Sequence, residues 1–178
     1  VLHRAVEHQQ RGPGAVVVLD KISRRLLHQP FQFATVRQIL GPDQPLMVDG
    51  NRGGRVDEAI RAARAFAEHG VYWIEEPTIP DDYEGHARIA REGGVPVATG
   101  ENLRTLPEFE QMIRYGEIAF PEPDVAICGG LTVCREVTRL CEAAGIRAVP
   151  HCFSTGINLA ASLNWIATDP AGDLVEYC

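Results

Sequence analysis

From Pro45 onward the chain repeats one unit: a short apolar run ends in a polar residue, a turn follows, and a stretch with apolar residues three and four apart leads to the next run. The runs PLMVDGN, VYWIEEP, VPVATGEN, IAFPEPDVAICGG, IRAVPHCFS and DLVEYC alternate with helix-like segments such as RVDEAIRAARAFAEHG and LTVCREVTRLCEAAG. In the first of these helices Ala59, Ile60, Ala63, Phe66 and Ala67 form one stripe, and Gly70 fits a C-terminal cap. Strict βα alternation over short connections dictates a parallel sheet with helical crossovers, either open and doubly wound or closed as a barrel.

The polar residues choose between the two. Asp49, Glu75, Glu101, Asp124, His151 and Glu176 stand at the ends of successive strands, 23 to 27 residues apart, about one βα unit each. An open sheet gathers its ligands at one switch point, whereas a (β/α)8 barrel turns every strand end toward one mouth. Six contributing strands favour an incomplete TIM-type barrel of six to seven βα units, read as a single domain over residues 1–178. Upstream, GAVVVLDK reads as a further strand, but Pro30 interrupts ISRRLLHQPFQFATVRQIL, so only ATVRQILG is expected to be helical.

Charge and composition narrow the partners. With 24 acidic against 17 basic residues and no basic cluster, nucleic acid and anionic membrane are not expected. No apolar run is long enough to span a bilayer, and the opening VLHRAVEHQQRG has no secretory-signal pattern, so the expected location is the cytoplasm. The five cysteines, without C-x-x-C spacing, read as reduced thiols in or near the core.

Three carboxylates, Asp49, Glu75 and Glu101, on consecutive strands cannot share a small cavity as anions unless something positive lies between them. All-oxygen ligation suits Mg²⁺ rather than zinc. For each acid singly, a solvated loop residue or helix N-cap is the competing reading. Glu76 is expected to face outward or to bind a neighbouring backbone group or an arginine, because alternate strand residues point to opposite sides.

The motifs LMVDGNRGG, WIEEPTIPDD, PVATGENL, PEPDVAICGGLT and VPHCFSTGINLAA resemble those of the enolase superfamily, mandelate racemase and muconate lactonizing type, over roughly Ala34 to Cys178; residues 1–33 match poorly. The resemblance implies Mg²⁺ ligation by Asp49, Glu75 and Glu101, a base or acid in His151 oriented by Asp124, and a strand-end Glu176 that binds the substrate carboxylate. Asp124 as a cap of the following helix and Glu176 as a frayed terminal acid are the alternatives. Lys21 would fill the second position of a strand-borne basic pair whose first position holds Leu19; a surface lysine is the alternative. The implied chemistry is abstraction of the proton α to a carboxylate, giving an enediolate. Dehydration of an acid sugar or hydroxy acid is the expected outcome, with racemisation, epimerisation or cycloisomerisation as the alternatives. Family members carry an N-terminal capping domain not expected here, so a non-catalytic barrel fragment that retains the metal ligands also stands. The expected partner is a small-molecule carboxylate, with homo-oligomerisation left open.

Overall fold

The computed structural model describes residues 17–19 and 30–177. Among them seven strands alternate with six helices: β1 (Val17–Leu19), α1 (Pro30–Leu40), β2 (Leu46–Asp49), α2 (Val56–Ala67), β3 (Trp73–Glu75), α3 (Tyr83–Gly93), β4 (Val97–Thr99), α4 (Leu106–Tyr115), β5 (Phe120–Pro121), α5 (Leu131–Ala144), β6 (His151–Cys152), α6 (Gly156–Ile166) and β7 (Glu176–Tyr177). The strand pairings β1–β2, β2–β3, β4–β5 and β6–β7 are all parallel, as helical crossovers require. The βα plan expected of an incomplete TIM-type barrel is therefore present. No helix among the described residues is long and apolar enough to cross a membrane.

The chain divides into two compact units, one holding the described residues up to Ile79 together with Arg88–Val97, the other Pro80–Ala87 and the residues from Ala98 on. In the first unit β1, β2 and β3 lie side by side, with Val48 opposite Ile74 and Asp49 opposite Glu75. β2 is buried throughout, as expected of a parallel strand covered on both faces. The α2 stripe buries Ala59, Ile60, Ala63 and Phe66, and Phe33 from α1 packs its ring 4.5 Å from that of Phe66. Arg37 ties the end of α1 to its surroundings by donating to the carbonyls of Gly41, Gln44, His69 and Gly70.

α1 begins at Pro30, four residues before the helix expected from ATVRQILG. Proline at the first helical position removes only an N–H that has no intrahelical acceptor, and its fixed φ suits the helix. Pro30 thus opens the helix instead of breaking it.

In the second unit β4 pairs with β5 and β6 with β7. β5 is only two residues long because Pro121 and Pro123 have no N–H to give to a ladder. Parallel hydrogen bonding nevertheless continues past it, from Val149 N to Pro121 O (2.9 Å), His151 N to Pro123 O (3.3 Å) and Glu176 N to Pro150 O (2.9 Å). The α4 start is closed by Glu108, whose Oε2 accepts from the backbone of Arg104 and Thr105, each at 2.7 Å. α5 ends on Gly145, whose φ of 70° lies in the left-handed region that glycine enters without penalty. Trp165 on α6 donates to Thr138 Oγ1 (3.0 Å), which donates to Cys134 O (3.2 Å), joining α6 to α5. The four described cysteines, Cys128, Cys134, Cys141 and Cys152, are free and buried, as expected; Cys178 lies outside the described residues.

Candidate active site

The sequence places its acids at strand ends, and the first unit keeps two of them together. Asp49 and Glu75 are the last residues of β2 and β3, opposite each other in register and both buried. In neighbouring parallel strands such residues sit about 4.8 Å apart at the backbone and project to the same face. Beyond them the two loops are stitched by Gly50 N to Glu75 O (2.7 Å) and Arg52 N to Glu76 O (2.8 Å). A Cβ at Gly50 would stand 3.0 Å from the carbonyl oxygens of both Glu75 and Glu76, so only glycine lets the loops approach this closely. Asp49 Oδ1 accepts from Asn51 N at 2.7 Å, which steadies the carboxylate over its own turn.

Glu76 is fully buried rather than outward-facing, with Arg52 Nε 3.4 Å from its Oε2. The strand alternation that predicts an outward side chain fails because Glu76 has φ +36°, outside the extended region. Its arginine partner was among the expected alternatives. Asn51 and Arg52 also have positive φ, so three non-glycine residues beside the two acids hold backbone conformations that cost of order 1–3 kcal/mol each.

The second unit gathers the rest around one imidazole. His151 opens β6, and its Nδ1 lies 2.9 Å from Asp124 Oδ2 while its Nε2 lies 3.2 Å from Glu101 Oε2. Glu176 opens β7 opposite His151 in register, buried, so it is not a frayed terminal acid. Glu101 and Asp124 lie in the loops just past β4 and β5 rather than within the strands. Gly100, with φ +139°, makes the turn into Glu101; a Cβ there would meet Glu122 N at 2.8 Å. Phe153 stacks on the His151 ring with centroids 4.8 Å apart.

Asp124 faces His151 and does not cap α5. Its Oδ1 accepts from Ala126 N (2.7 Å) and so steadies its own turn, but the cap of α5 is Gly130, and Oδ2 is left to His151. Burial pushes the Asp124 carboxyl up, yet the bonds from His151, Ala126 and Asn158 together outweigh it and hold it below the usual carboxylate range. Burial likewise works against the His151 cation; the Asp124 bond and the charges of Glu101 and Glu176 outweigh it and raise the ring above its ordinary 6.5.

Two residues escaped the sequence reading. Glu122 is completely buried and offers an oxygen within 4.8 Å of one on Glu176. It stands two residues before Asp124 in Pro-Glu-Pro-Asp, and that spacing is its only signal in the sequence. Asn158 donates from Nδ2 to Asp124 Oδ1 at 3.0 Å and had no signal in the motif that carries it. Lys21 lies outside the described residues. A hollow of about 180 Å³ beside β6 and β7 is lined by Cys152, Ser154, Thr155, Gly156, Leu159 and Tyr177. Its strand residues alternate with His151 and Glu176, so it opens away from them.

In sequence the chain is 51% identical, over 118 residues, to the 3,6-anhydro-alpha-L-galactonate cycloisomerase of Streptomyces coelicolor, covering 66% of this chain and 33% of that protein. It is 36% identical over 131 residues to the L-talarate/galactarate dehydratase of Salmonella typhimurium, covering 74% of this chain and 33% of the relative. The crystal structure of a racemase from Streptomyces coelicolor with bound magnesium superposes with a TM-score of 0.81 at 40% identity, covering 92% of this chain and 44% of that one. The chain thus spans about a third of the length of the curated relatives it matches. The model of the enolase C-terminal domain-like family matches residues 21–178, beginning upstream of the motifs at Ala34. The βα order, the acids at the strand ends and this match together place the chain in the enolase C-terminal domain-like family.

Proposed function

We propose that this chain carries the catalytic residues of a Mg²⁺-dependent enzyme that removes the proton α to a carboxylate of an acid sugar or hydroxy acid. The observation that supports it most is the line Asp124–His151–Glu101, an imidazole held between two carboxylates beside Glu176. The donor chemistry fits magnesium: Asp49 and Glu75 are buried carboxylates in register, and Glu101 adds a third oxygen donor, with no thiol or imidazole in the set. Asp49, Glu75 and Glu101 would hold the ion, which as a Lewis acid supplies stabilisation of the charge that develops on the substrate carboxylate.

The chain's own residues do the rest. Asp124 accepts a hydrogen bond from Nδ1–H of His151 and so leaves Nε2 for the reacting groups. The raised affinity of His151 for a proton suits it to deliver one to a departing oxygen; it serves equally as the acceptor once that proton has gone. Glu176 binds the substrate carboxylate, and Lys21 is the second basic group. Loss of a β-hydroxyl from the enediolate is dehydration. A 3,6-anhydro ring also sets its ether oxygen on the carbon β to the carboxylate, so the cycloisomerase among the relatives points to the same elimination with a different leaving oxygen. The proposed reaction is therefore β-elimination, with dehydration and anhydro-ring opening as its two forms.

The test is Mg²⁺-dependent exchange of the α-proton in D₂O, followed by proton NMR across a panel of acid sugars, their lactones and 3,6-anhydro acids. Exchange abolished by EDTA and by His151→Asn is expected. No exchange from folded, magnesium-loaded protein across the panel would overturn the proposal in favour of a non-catalytic fragment.

A further inference from the structure

The helix α6 is inverted for an element that only packs. Its buried face includes Asn158 and Ser162 beside Trp165 and Ile166, while Ile157 is 82% exposed. A buried amide is unfavourable unless its hydrogen bonds are met. A sequence selected only for packing would exchange residues 157 and 158.

The Asp124 carboxylate accounts for the placement. Its Oδ1 accepts from Ala126 N (2.7 Å) and Asn158 Nδ2 (3.0 Å), and Oδ2 faces His151 Nδ1 (2.9 Å). Ala126 belongs to the same turn as Asp124 and moves with it. Asn158 comes from another element and is itself fixed, because its backbone N–H donates to the N-cap Thr155 Oγ1 at 3.1 Å. The amide can face Asp124 only by its NH₂ group, since the reverse would set two acceptor oxygens against each other.

We propose that Asn158 is a positioning residue: it locks the Asp124 carboxylate so that Oδ2 holds His151 as the Nδ1–H tautomer and leaves Nε2 for proton transfer. Its effect on turnover rests on the function proposed above; its effect on the tautomer does not.

The experiment compares Asn158→Leu, which keeps the volume and deletes the donor, with Thr155→Ala, which weakens the same helix start without touching Asp124. Nitrogen-15 NMR of the full chain in EDTA reads the neutral His151 ring. Wild type and Thr155→Ala are expected to show Nδ1–H, whereas Asn158→Leu shifts population to Nε2–H. In the magnesium-loaded enzyme kcat falls about 10- to 100-fold in Asn158→Leu with KM unchanged, as for other supporting partners of a site histidine. If Asn158→Leu does not fold, Asn158→Ala gives the same reading. An unchanged tautomer in a folded Asn158 variant, or equal loss of kcat in the Thr155 and Asn158 variants at matched melting temperature, would overturn the proposal. If the wild type exchanges no α-proton, the proposed function fails, and the tautomer measurement still decides the role of Asn158.

Discussion

Replacing Asp124 with asparagine changes one atom and reverses a proton. The Oδ1 position receives two donors, Ala126 N and Asn158 Nδ2, so the new amide must place its oxygen there and its NH₂ toward His151 Nδ1. Nδ1 then has to accept, and the ring proton moves to Nε2, 3.2 Å from Glu101. A neutral ring protonated at Nε2 cannot take a proton there, and the comparable substitution in a serine-protease triad costs about 10⁴ in kcat. Stability should respond with a definite pH shape in the metal-free chain. Asp124, held below its ordinary 3.8, contributes stability that is present above that pH and is lost as acid protonates it. His151, raised above 6.5, contributes stability fully present below 6.5 and lost as the pH climbs through its folded value. The gap between wild type and Asp124→Asn should therefore be widest near pH 5, about 3 kcal/mol for a buried pair losing one charge. It should narrow in alkali to about 1.5 kcal/mol, the worth of one hydrogen bond to a charged group. Urea unfolding in EDTA across pH measures the gap, and D₂O exchange measures the rate. A gap that does not change with pH, or an exchange rate within threefold of wild type, would refute the reasoning.

Two further expectations follow from single positions. Gly100→Ala combines φ +139° with a Cβ 2.8 Å from the backbone nitrogen of Glu122, so it should destabilise the fold by about 3 kcal/mol or more, visible as a lower denaturant midpoint. His86 is fully buried, and burial, opposed only in part by its bond to the Asp82 carbonyl, lowers its affinity for a proton. Wild type should consequently lose stability relative to His86→Phe as the pH falls below 6.5, and parallel pH profiles for the two proteins would show the assignment to be wrong.

The elements were legible because periodicity is a local property. Six strand-and-helix units announce themselves by the switch from apolar runs to stripes three and four apart, and the strand-end acids follow from them. What stayed hidden depends on backbone conformations or contacts that spacing does not encode. Glu76 turns inward because its φ is positive, a state no residue pattern marks outside glycine and asparagine. Pro30 reads as a breaker until the helix is known to start on it. Asn158 sits 34 residues from the carboxylate it holds, and its polar side chain occupies the face that amphipathic reasoning reserves for apolar groups. Glu76 and Asn158 adjoin candidate-site residues, where local preference yields to chemistry.

The first unit makes the metal reading testable without turnover. Asp49 and Glu75 bring two buried carboxylates to one face of adjacent parallel strands. Because that juxtaposition exists only in the folded chain, a divalent cation held by both must stabilise it. Linkage sets the size: at a free Mg²⁺ concentration 100 times Kd the gain is about 2.7 kcal/mol, several degrees in melting temperature for a chain of this length. Asp49→Asn removes one ligand, so it should abolish the response to magnesium. A chain that Mg²⁺ does not stabilise, or an Asp49→Asn variant that responds as the wild type does, would remove Asp49 and Glu75 from the metal site.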